Sequence, residues 1–458
     1  MSEKSANELQ TQNNPKEIRG WMIYDWANSV YYTTVLGVLI APYLTRLAQA
    51  SVGENGVVIS LGFIGNITAK SLTSFTTVIG VIIQAFLMIF LSAIADYSNS
   101  KKRFMMILVY VGVVFACLIF FIEGDNYLWG SLLLIGANVC IGCSLVFYNA
   151  YLPEIASIDK RDSVSARGYA LGYAGGSLML VADVALLFYA DSLGITLEMA
   201  QRICLLAAGL WWGGFSAITF RRLRNHGKSK RIPKGTNIFA LAISEIRNTF
   251  GKFLKLRYTL LFLFAYLCYN DGIQTVIYQA SVFVEQELLI AKGLPPDPIF
   301  LVLLFLETQI VALIGALFWE RVSARFGAKV TILVSLAWWA CVVIYAYAFL
   351  RDKNQAWLLG AAIGWVIGGT QSLSRSLYSQ IIPKGSEASF FSFYEISEKG
   401  TSWMGLLTFS IVVGSTGSYR TAILAVIFFF IVGGMLLLIN PIEKAIQQAA
   451  TLSDEHRA

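Results

Sequence analysis

Charge is scarce in this chain. Asp, Glu, Lys and Arg make up 14% of its 458 residues, against about 25% in an ordinary soluble domain. Apolar residues make up 56%, so there is too little polar surface to face water, and a soluble globular protein is excluded. Histidine is nearly missing: His226 and His456 both lie in polar segments, which excludes a histidine proton relay within a bilayer. The cysteines, Cys117, Cys140, Cys143, Cys204, Cys268 and Cys341, all fall inside apolar runs. Neither a disulfide framework nor a zinc site is expected there, and the lone C-x-x-C of Cys140 and Cys143 has no second pair. No P-loop, hydrolase or kinase signature occurs in its required context. That argues against an ATP-driven pump and against an enzyme, and it calls for no cofactor. The first twenty residues lack the apolar core and cleavage site of a secretory signal. They read as a polar tail, with the first helix as an uncleaved insertion signal.

Long apolar runs are what the chain does have. A helix needs about 20 mostly apolar residues to cross a bilayer. Such runs lie at 21–48, 73–95, 104–122, 128–152, 167–190 and 200–220, then at 258–284, 299–321, 328–350, 356–381, 390–414 and 418–440. The expected fold class is an all-α membrane protein of twelve transmembrane helices in two six-helix bundles. The expected divisions are a tail at 1–19, a first bundle at 20–222, a basic linker at 223–256, a second bundle at 257–440 and a tail at 441–458. The formal charge of +7 sits in short loops and reads as membrane orientation, with no nucleic-acid partner. With the N-terminus inside, the inner segments collect Lys101, Lys102, Arg103, Lys160, Arg161, Arg167, Arg321, Arg325, Lys329 and the linker's many cations. Both termini are therefore expected to be cytoplasmic. Within the linker, 237–256 reads either as an amphipathic surface helix or as a solvated connector.

The halves carry traces of a repeat. The fourth run ends Tyr148-Asn-Ala-Tyr-Leu-Pro153 and the tenth Tyr378-Ser-Gln-Ile-Ile-Pro383. The first run holds Asp25, Asn28 and Tyr32 and the seventh Asp271, Gln274 and Tyr278, both at i, i+3 and i+7 on one helix face. One discord stands out. Asp25 follows closely on Arg19, whereas Asp271 lies well inside its run, a depth difference of about 10 Å at 1.5 Å per residue.

Charged residues inside apolar runs cost about 2.5–3.5 kcal/mol each on insertion scales and normally face a bundle interior or a wet cavity. Asp271, in the polar island Tyr269-Asn-Asp-Gly-Ile-Gln-Thr275, is the leading candidate for a proton-carrying or substrate-lining acid. Glu307 is a second. Asp183 suits a packing hydrogen bond as well as a function. Asp25, Asn28 and Tyr32 read as cavity-lining and Gln371 as part of the same path. Arg375 needs a counter-ion, for which Glu395 and Glu398 at the start of the next helix are candidates.

The loop after the second run reads Asp96-Tyr-Ser-Asn-Ser-Lys-Lys-Arg103. Here the chain resembles the major facilitator superfamily, whose loop has the form G-x-x-x-D-x-x-G followed by basic residues. Asp96 and the basic cluster match, while Ser92 and Asn99 stand at the glycine positions. In the second half Ala324 replaces the acid, and Arg325, Gly327 and Lys329 remain. The chain is similar, more closely, to the autophagy-related vacuolar amino-acid effluxer family and its bacterial members. The similarity rests on Gly20-Trp-Met-Ile-Tyr-Asp-Trp-Ala-Asn-Ser29, Ala166-Arg-Gly-Tyr-Ala-Leu-Gly-Tyr-Ala-Gly-Gly176, Tyr269–Thr275, and Gly368–Tyr378 running on to Tyr394. The resemblance implies a twelve-helix facilitator fold and export of small solutes, neutral amino acids among them, from a bacterial inner membrane. On that reading Asp25, Asn28, Tyr32, Asp271, Gln274, Tyr278, Glu307 and Gln371 line the substrate or proton path. Asp96, Arg103, Arg375 and Glu395 serve a cytoplasmic gate. The expected partners are a small-molecule substrate, the bilayer and protons, with the protein a monomer. A drug or organic-ion exporter of the same fold is the alternative. A non-transporting sensor or scaffold would want a sizeable soluble domain, and these residues contain only the short linker.

Overall fold

In hydrocarbon no water is available to backbone N–H and C=O groups, so a spanning segment must satisfy them internally, as a helix does. The computed structural model describes residues 12–53, 56–60, 66–226, 238–295, 297–400 and 403–455. Part of the expected basic linker, 227–237, and most of the first expected tail lie outside the described residues.

Among the described residues eleven helices are long and apolar enough to cross a membrane. They are α1 (Pro15–Val52), α2 (Leu72–Ser98), α3 (Lys101–Phe121), α4 (Tyr127–Ile155), α5 (Ile158–Phe188), α6 (Leu197–Arg222), α8 (Arg257–Leu288), α9 (Pro298–Phe326), α10 (Ala328–Ala348), α11 (Lys353–Gln380) and α14 (Tyr419–Ile439). The run at 390–414 is described except for residues 401–402. It is built from α12 (Glu387–Glu395), a π-helical turn (Ile396–Gly400) and α13 (Trp403–Thr416). A linker helix, α7 (Ile238–Lys255), and a closing helix, α15 (Ile442–Glu455), complete the chain. The linker therefore contains a helix rather than a plain connector. A short antiparallel hairpin, β1 (Val57–Ser60) with β2 (Asn66–Thr68), joins α1 to α2. Hydropathy carries no signal for it.

Helix α1 begins at Pro15, inside the segment expected as tail. Asn14 caps it by accepting from the amides of Lys16 and Glu17 at 3.0 and 3.4 Å, and Pro15 at the first position has no N–H to leave unpaired. Midway, Tyr31–Leu39 widens into a π-helix, a form that concentrates at functional sites. The loop ends repeat between halves. Asn99 closes α2 in the left-handed region at φ 52°, and Gly327 ends α9 at φ 80°. Asn tolerates that region better than most residues, which explains its place where the facilitator loop has glycine.

In the first half α1 packs on α5 and α6, and α4 on α2 and α3; in the second, α9 packs on α11 and α8 on α14. The halves meet where α5 lies against α9 and α11 and where α12 lies against α2 and α4. Between lipid-immersed helices packing and polar contacts replace the hydrophobic drive, so small residues line the seams. Gly168 of α5 is one: a Cβ there would strike Asp25 Oδ2 and lie 3.2 Å from the Trp21 ring. Residues near both chain ends share one face. Asn13 bonds to Ile155 and Ser157, Glu17 to His226, and Ser453 to Lys384. This end of the bundle is the terminal face.

Candidate functional site

Arg375 of α11 is 3% exposed and reaches from the second half into the first. Its Nη2 donates to Asp25 Oδ2 at 3.3 Å and to the Ser165 carbonyl at 3.0 Å, and its Nε to Ser165 Oγ at 2.9 Å. The guanidinium lies over three aromatic faces, those of Tyr169 (4.3 Å), Trp21 (4.8 Å) and Tyr148 (5.5 Å), each an attraction for a desolvated cation. Tyr148 Oη donates to Asp25 at 2.6 Å, and Trp21 stacks on Tyr148 at 4.4 Å while its Nε1 donates to the Tyr148 carbonyl. The counter-ion of Arg375 is thus Asp25, not Glu395. Glu395 joins through a relay: Arg375 Nη1 donates to Asn149 Oδ1 at 3.4 Å, and Asn149 Nδ2 to Glu395 Oε1 at 2.6 Å. Nearness in sequence favours Glu395 and Glu398, at the start of the next helix, and only the meeting of halves brings Asp25 close.

A second cross-half cluster lies nearer the terminal face. Lys101 Nζ is 2.6 Å from both Glu154 and Glu387 and 3.6 Å from Asp96. Asp96 accepts from the amides of Ala388 and Ser389 at 3.2 and 2.7 Å, at the start of α12, where unpaired amides and the helix dipole favour an anion. Burial pushes the Glu387 carboxyl up, but the Lys101 ammonium outweighs it and leaves Glu387 below the usual range. Arg103 is exposed; the basic residue turned into the cluster is Lys101, two residues earlier. Asp162 accepts from Ser323 and Ser376 at 2.6 and 2.5 Å, Arg161 Nη1 donates to the Ser379 carbonyl at 2.7 Å, and Ser165 Oγ to the Ser372 carbonyl at 2.8 Å. The innermost of these links is Tyr173 Oη donating to Gln371 Oε1 at 3.2 Å. Polar ties between the halves therefore run from the terminal face up to Gln371.

Asp271 does not meet Asp25. Its Oδ2 accepts from the Gly405 amide of α13 at 2.5 Å, and its Oδ1 has no hydrogen-bond partner among the described residues. A Cβ on Gly405 would lie 3.0 Å from Asp271 Oδ2 and collide with Thr275 Oγ1, so the close approach needs glycine. The repeat explains the divergence. Tyr24 Oη bonds Ser144 Oγ at 2.6 Å, and Tyr269 Oη bonds Ser374 Oγ at 2.7 Å. Ser144 and Ser374 stand in the same register as Tyr148 and Tyr378. Hence Tyr24 corresponds to Tyr269, and Asp25 to Asn270. The acid–amide–tyrosine match is offset by one residue, about 100° of helix rotation, which turns Asp271 toward α13. Asn270 itself donates to the Glu398 carbonyl at 3.2 Å, in the π-helical turn.

The other sequence-derived candidates are dispersed. Asn28 is buried, and Tyr32 is half-buried within the π-helical stretch of α1. Gln274 is half-buried and Tyr278 exposed on α8. Glu307 lies half-buried against α11, where a Cβ on Gly360 would be 2.9 Å from its Oε2. Asp183 accepts from Thr34 of the π-helical stretch at 2.6 Å. Sequence reasoning missed Trp21, Tyr148 and Tyr169 as an arginine cage, and Lys101, Glu154 and Glu387 as one cluster. The surplus of aromatics just inside the first run was the available signal for the cage.

His226 marks the terminal face. Its Nε2 is 2.8 Å from Glu17 Oε1, which also accepts from the Arg224 amide at 2.9 Å. The hydrogen bond to Glu17 pulls the imidazole up from its ordinary value against the opposing pull of burial.

A family model described as "Vacuole effluxer Atg22 like" matches residues 13–450. The chain belongs to that family. Relatives of this Atg22-like chain include the uncharacterized MFS-type transporter YxiO of Bacillus subtilis, 29% identical over 94% of this chain and 96% of the relative. Autophagy-related protein 22-2 of Aspergillus oryzae is 25% identical over 94% of this chain and 88% of its own. Among solved structures, the proton:xylose symporter XylE superimposes with TM-score 0.65 at 11% identity, covering 93% of this chain and 94% of XylE. A bacterial homologue of the iron transporter ferroportin, in an outward-facing state, gives 0.63 at 13% over 93% and 98%. At such identities the likeness is one of fold. The Atg22-like chain is thus a membrane-embedded transporter of the major facilitator fold, with two six-helix bundles.

Proposed function

We propose that this Atg22-like transporter exports small solutes, neutral amino acids among them, across a bacterial inner membrane by alternating access, with proton movement coupled to the cycle. Both termini and the terminal face are cytoplasmic on this reading, in line with the positive loop charge. The observation that carries it is the buried Arg375–Asp25 pair with its aromatic cage, which ties one half to the other on the terminal side. A polar contact of this kind between the two halves is what a rocking carrier must break and remake. Asp96, Lys101, Glu387 and Arg375 act as the cytoplasmic gate, with Glu395 joined through Asn149. The path beyond the gate is lined by Tyr32, Gln371 and Gln274, with Asp271 and Glu307 as the acids that exchange protons. Asp271 supports this through its geometry: one carboxylate oxygen is held by Gly405 while the other has no hydrogen-bond partner among the described residues.

The test is flux in proteoliposomes. Purified protein is assayed with a panel of neutral amino acids, with and without a pH gradient across the vesicle. Saturable flux that responds to the gradient, and that is lost in Arg375→Gln, supports the reading. No amino-acid flux, in protein that is folded and correctly inserted, removes the substrate class. Flux indifferent to the gradient removes the coupling.

A further inference from the structure

At the terminal face a groove of about 480 Å³ opens where α7 hands over to α8 and α15 crosses beneath them. Lys255, Arg257 and Lys444 line it, with Gln447 and Thr451 beside them and Leu256 and Leu452 as its apolar wall. Among the described residues none of the three cations makes an ion pair. Arg257 is held in place by its neighbour: its Nη2 donates to Tyr258 Oη at 2.7 Å, and the guanidinium lies 4.6 Å from that ring. Three cations without an ion pair among the described residues, beside amide and hydroxyl groups, suit a phosphodiester. The position is telling as well. Arg257 opens the spanning helix α8, and Lys444 follows soon after α14 ends at Ile439, so the groove lies at headgroup depth.

The adjoining helix points the same way independently. On α7, Ala242, Thr249 and Phe253 are buried, and Phe253 stacks on Phe390 of α12 at 4.9 Å. A different face of α7 leaves Ile243, Phe250 and Leu254 exposed at 47%, 53% and 62%. Those spacings of seven and four share one helix face. An apolar stripe beside cations, on a helix at the edge of a membrane protein, is the pattern of a segment lying in the lipid interface.

We propose that this groove binds an anionic phospholipid, its phosphodiester against Lys255, Arg257 and Lys444 and its acyl chains along the Ile243–Phe250–Leu254 face. The binding does not depend on which solute is carried. Because α7 also reaches α12 through Phe253 and through Lys252 Nζ donating to Ser386 Oγ at 3.0 Å, a bound lipid braces the linker against the gate.

The experiment uses the full chain in neutral detergent and follows its unfolding midpoint on titration with short-chain phosphatidylglycerol, phosphatidylcholine of equal chain length, or inorganic phosphate. Phosphatidylglycerol is expected to raise the midpoint, and the other two to leave it in place. In K255Q/R257Q/K444Q the apparent affinity falls on the order of a hundredfold, about fivefold per cation. K160Q/R221Q/R321Q, an equal charge change elsewhere on the same face, stays within about twofold of the parent. Should the triple variant fold poorly, the single Lys444→Gln, at an exposed position, still shows the loss of about fivefold. Equal losses in both triple variants would overturn the site in favour of diffuse attraction. An equal response to phosphatidylcholine, or to inorganic phosphate, would overturn an anionic lipid as the occupant.

Discussion

Asp25→Asn preserves the shape of the side chain and removes only its charge. In the arrangement closed at the terminal face, Arg375 and Asp25 are 3% and 7% exposed. Breaking a buried ion pair by neutralising one member costs about 3–5 kcal/mol, because the other charge stays buried without compensation. The lower end applies here. Arg375 keeps two acceptors on Ser165, at 2.9 and 3.0 Å, the Asn149 oxygen at 3.4 Å, and three aromatic faces. The loss falls on the closed state alone, since the pair spans the halves. A differential of about 3 kcal/mol multiplies the open-to-closed ratio on the order of a hundredfold. Spin labels on Lys160 of α5 and Arg325 of α9, both exposed, would read this as growth of a longer-distance population in a cysteine-free background. Neutralising both partners, as Asp25→Asn with Arg375→Gln, leaves no unpaired buried charge, so the double variant is expected to lie closer to the parent than the single one. A distance distribution unchanged in folded Asp25→Asn would refute the reasoning. So would a double variant more open than the single.

Lys101→Met leaves Asp96, Glu154 and Glu387 clustered without their cation, and is expected to lower stability by about 3 kcal/mol or more, read by thermal unfolding in detergent, whereas Lys101→Arg retains most of it. Gly168→Val places methyl groups where Asp25 and Trp21 already stand and should cost about 1–3 kcal/mol, seen as a lower midpoint and loss of monodisperse protein. Asp271→Asn keeps the Gly405 contact and removes the exchangeable proton, so flux should persist while its response to a pH gradient disappears. Unchanged gradient dependence would take Asp271 off the proton path. The His226–Glu17 tie has its own pH window. Because Glu17 raises His226, the stabilisation is fully present below the ordinary imidazole value of about 6.5 and is lost as pH climbs through the raised value. Hydrogen exchange at residues 223–226 should therefore quicken on the alkaline side, and Glu17→Gln should flatten that dependence.

Hydropathy found the crossings because the solvent requirement of a span is local: each needs its own run of apolar residues, whatever its neighbours. It carries no sign of the π-helical turn at Ile396–Gly400 within the 390–414 run. Composition does not encode a change from i→i+4 to i→i+5 bonding. The Tyr–Pro match between the fourth and tenth runs holds in the structure as the register that pairs Ser144 with Ser374. The Asp25–Asp271 match does not, since three residue types at matching spacing recur by coincidence more readily than a shared hydrogen bond does.

The sequence by itself determined that this is a helical membrane protein, roughly how many times it crosses, which end collects positive charge, and that Arg375 must have a partner. Each of these follows from the cost of putting one segment or one charge into lipid. Only the tertiary structure decided that the partner is Asp25, 350 residues away, that Lys101 rather than Arg103 enters the carboxylate cluster, and that Asp271 turns to α13. Those outcomes depend on how two six-helix halves are rotated against each other, and a rotation between separate bodies leaves no period in either one's sequence.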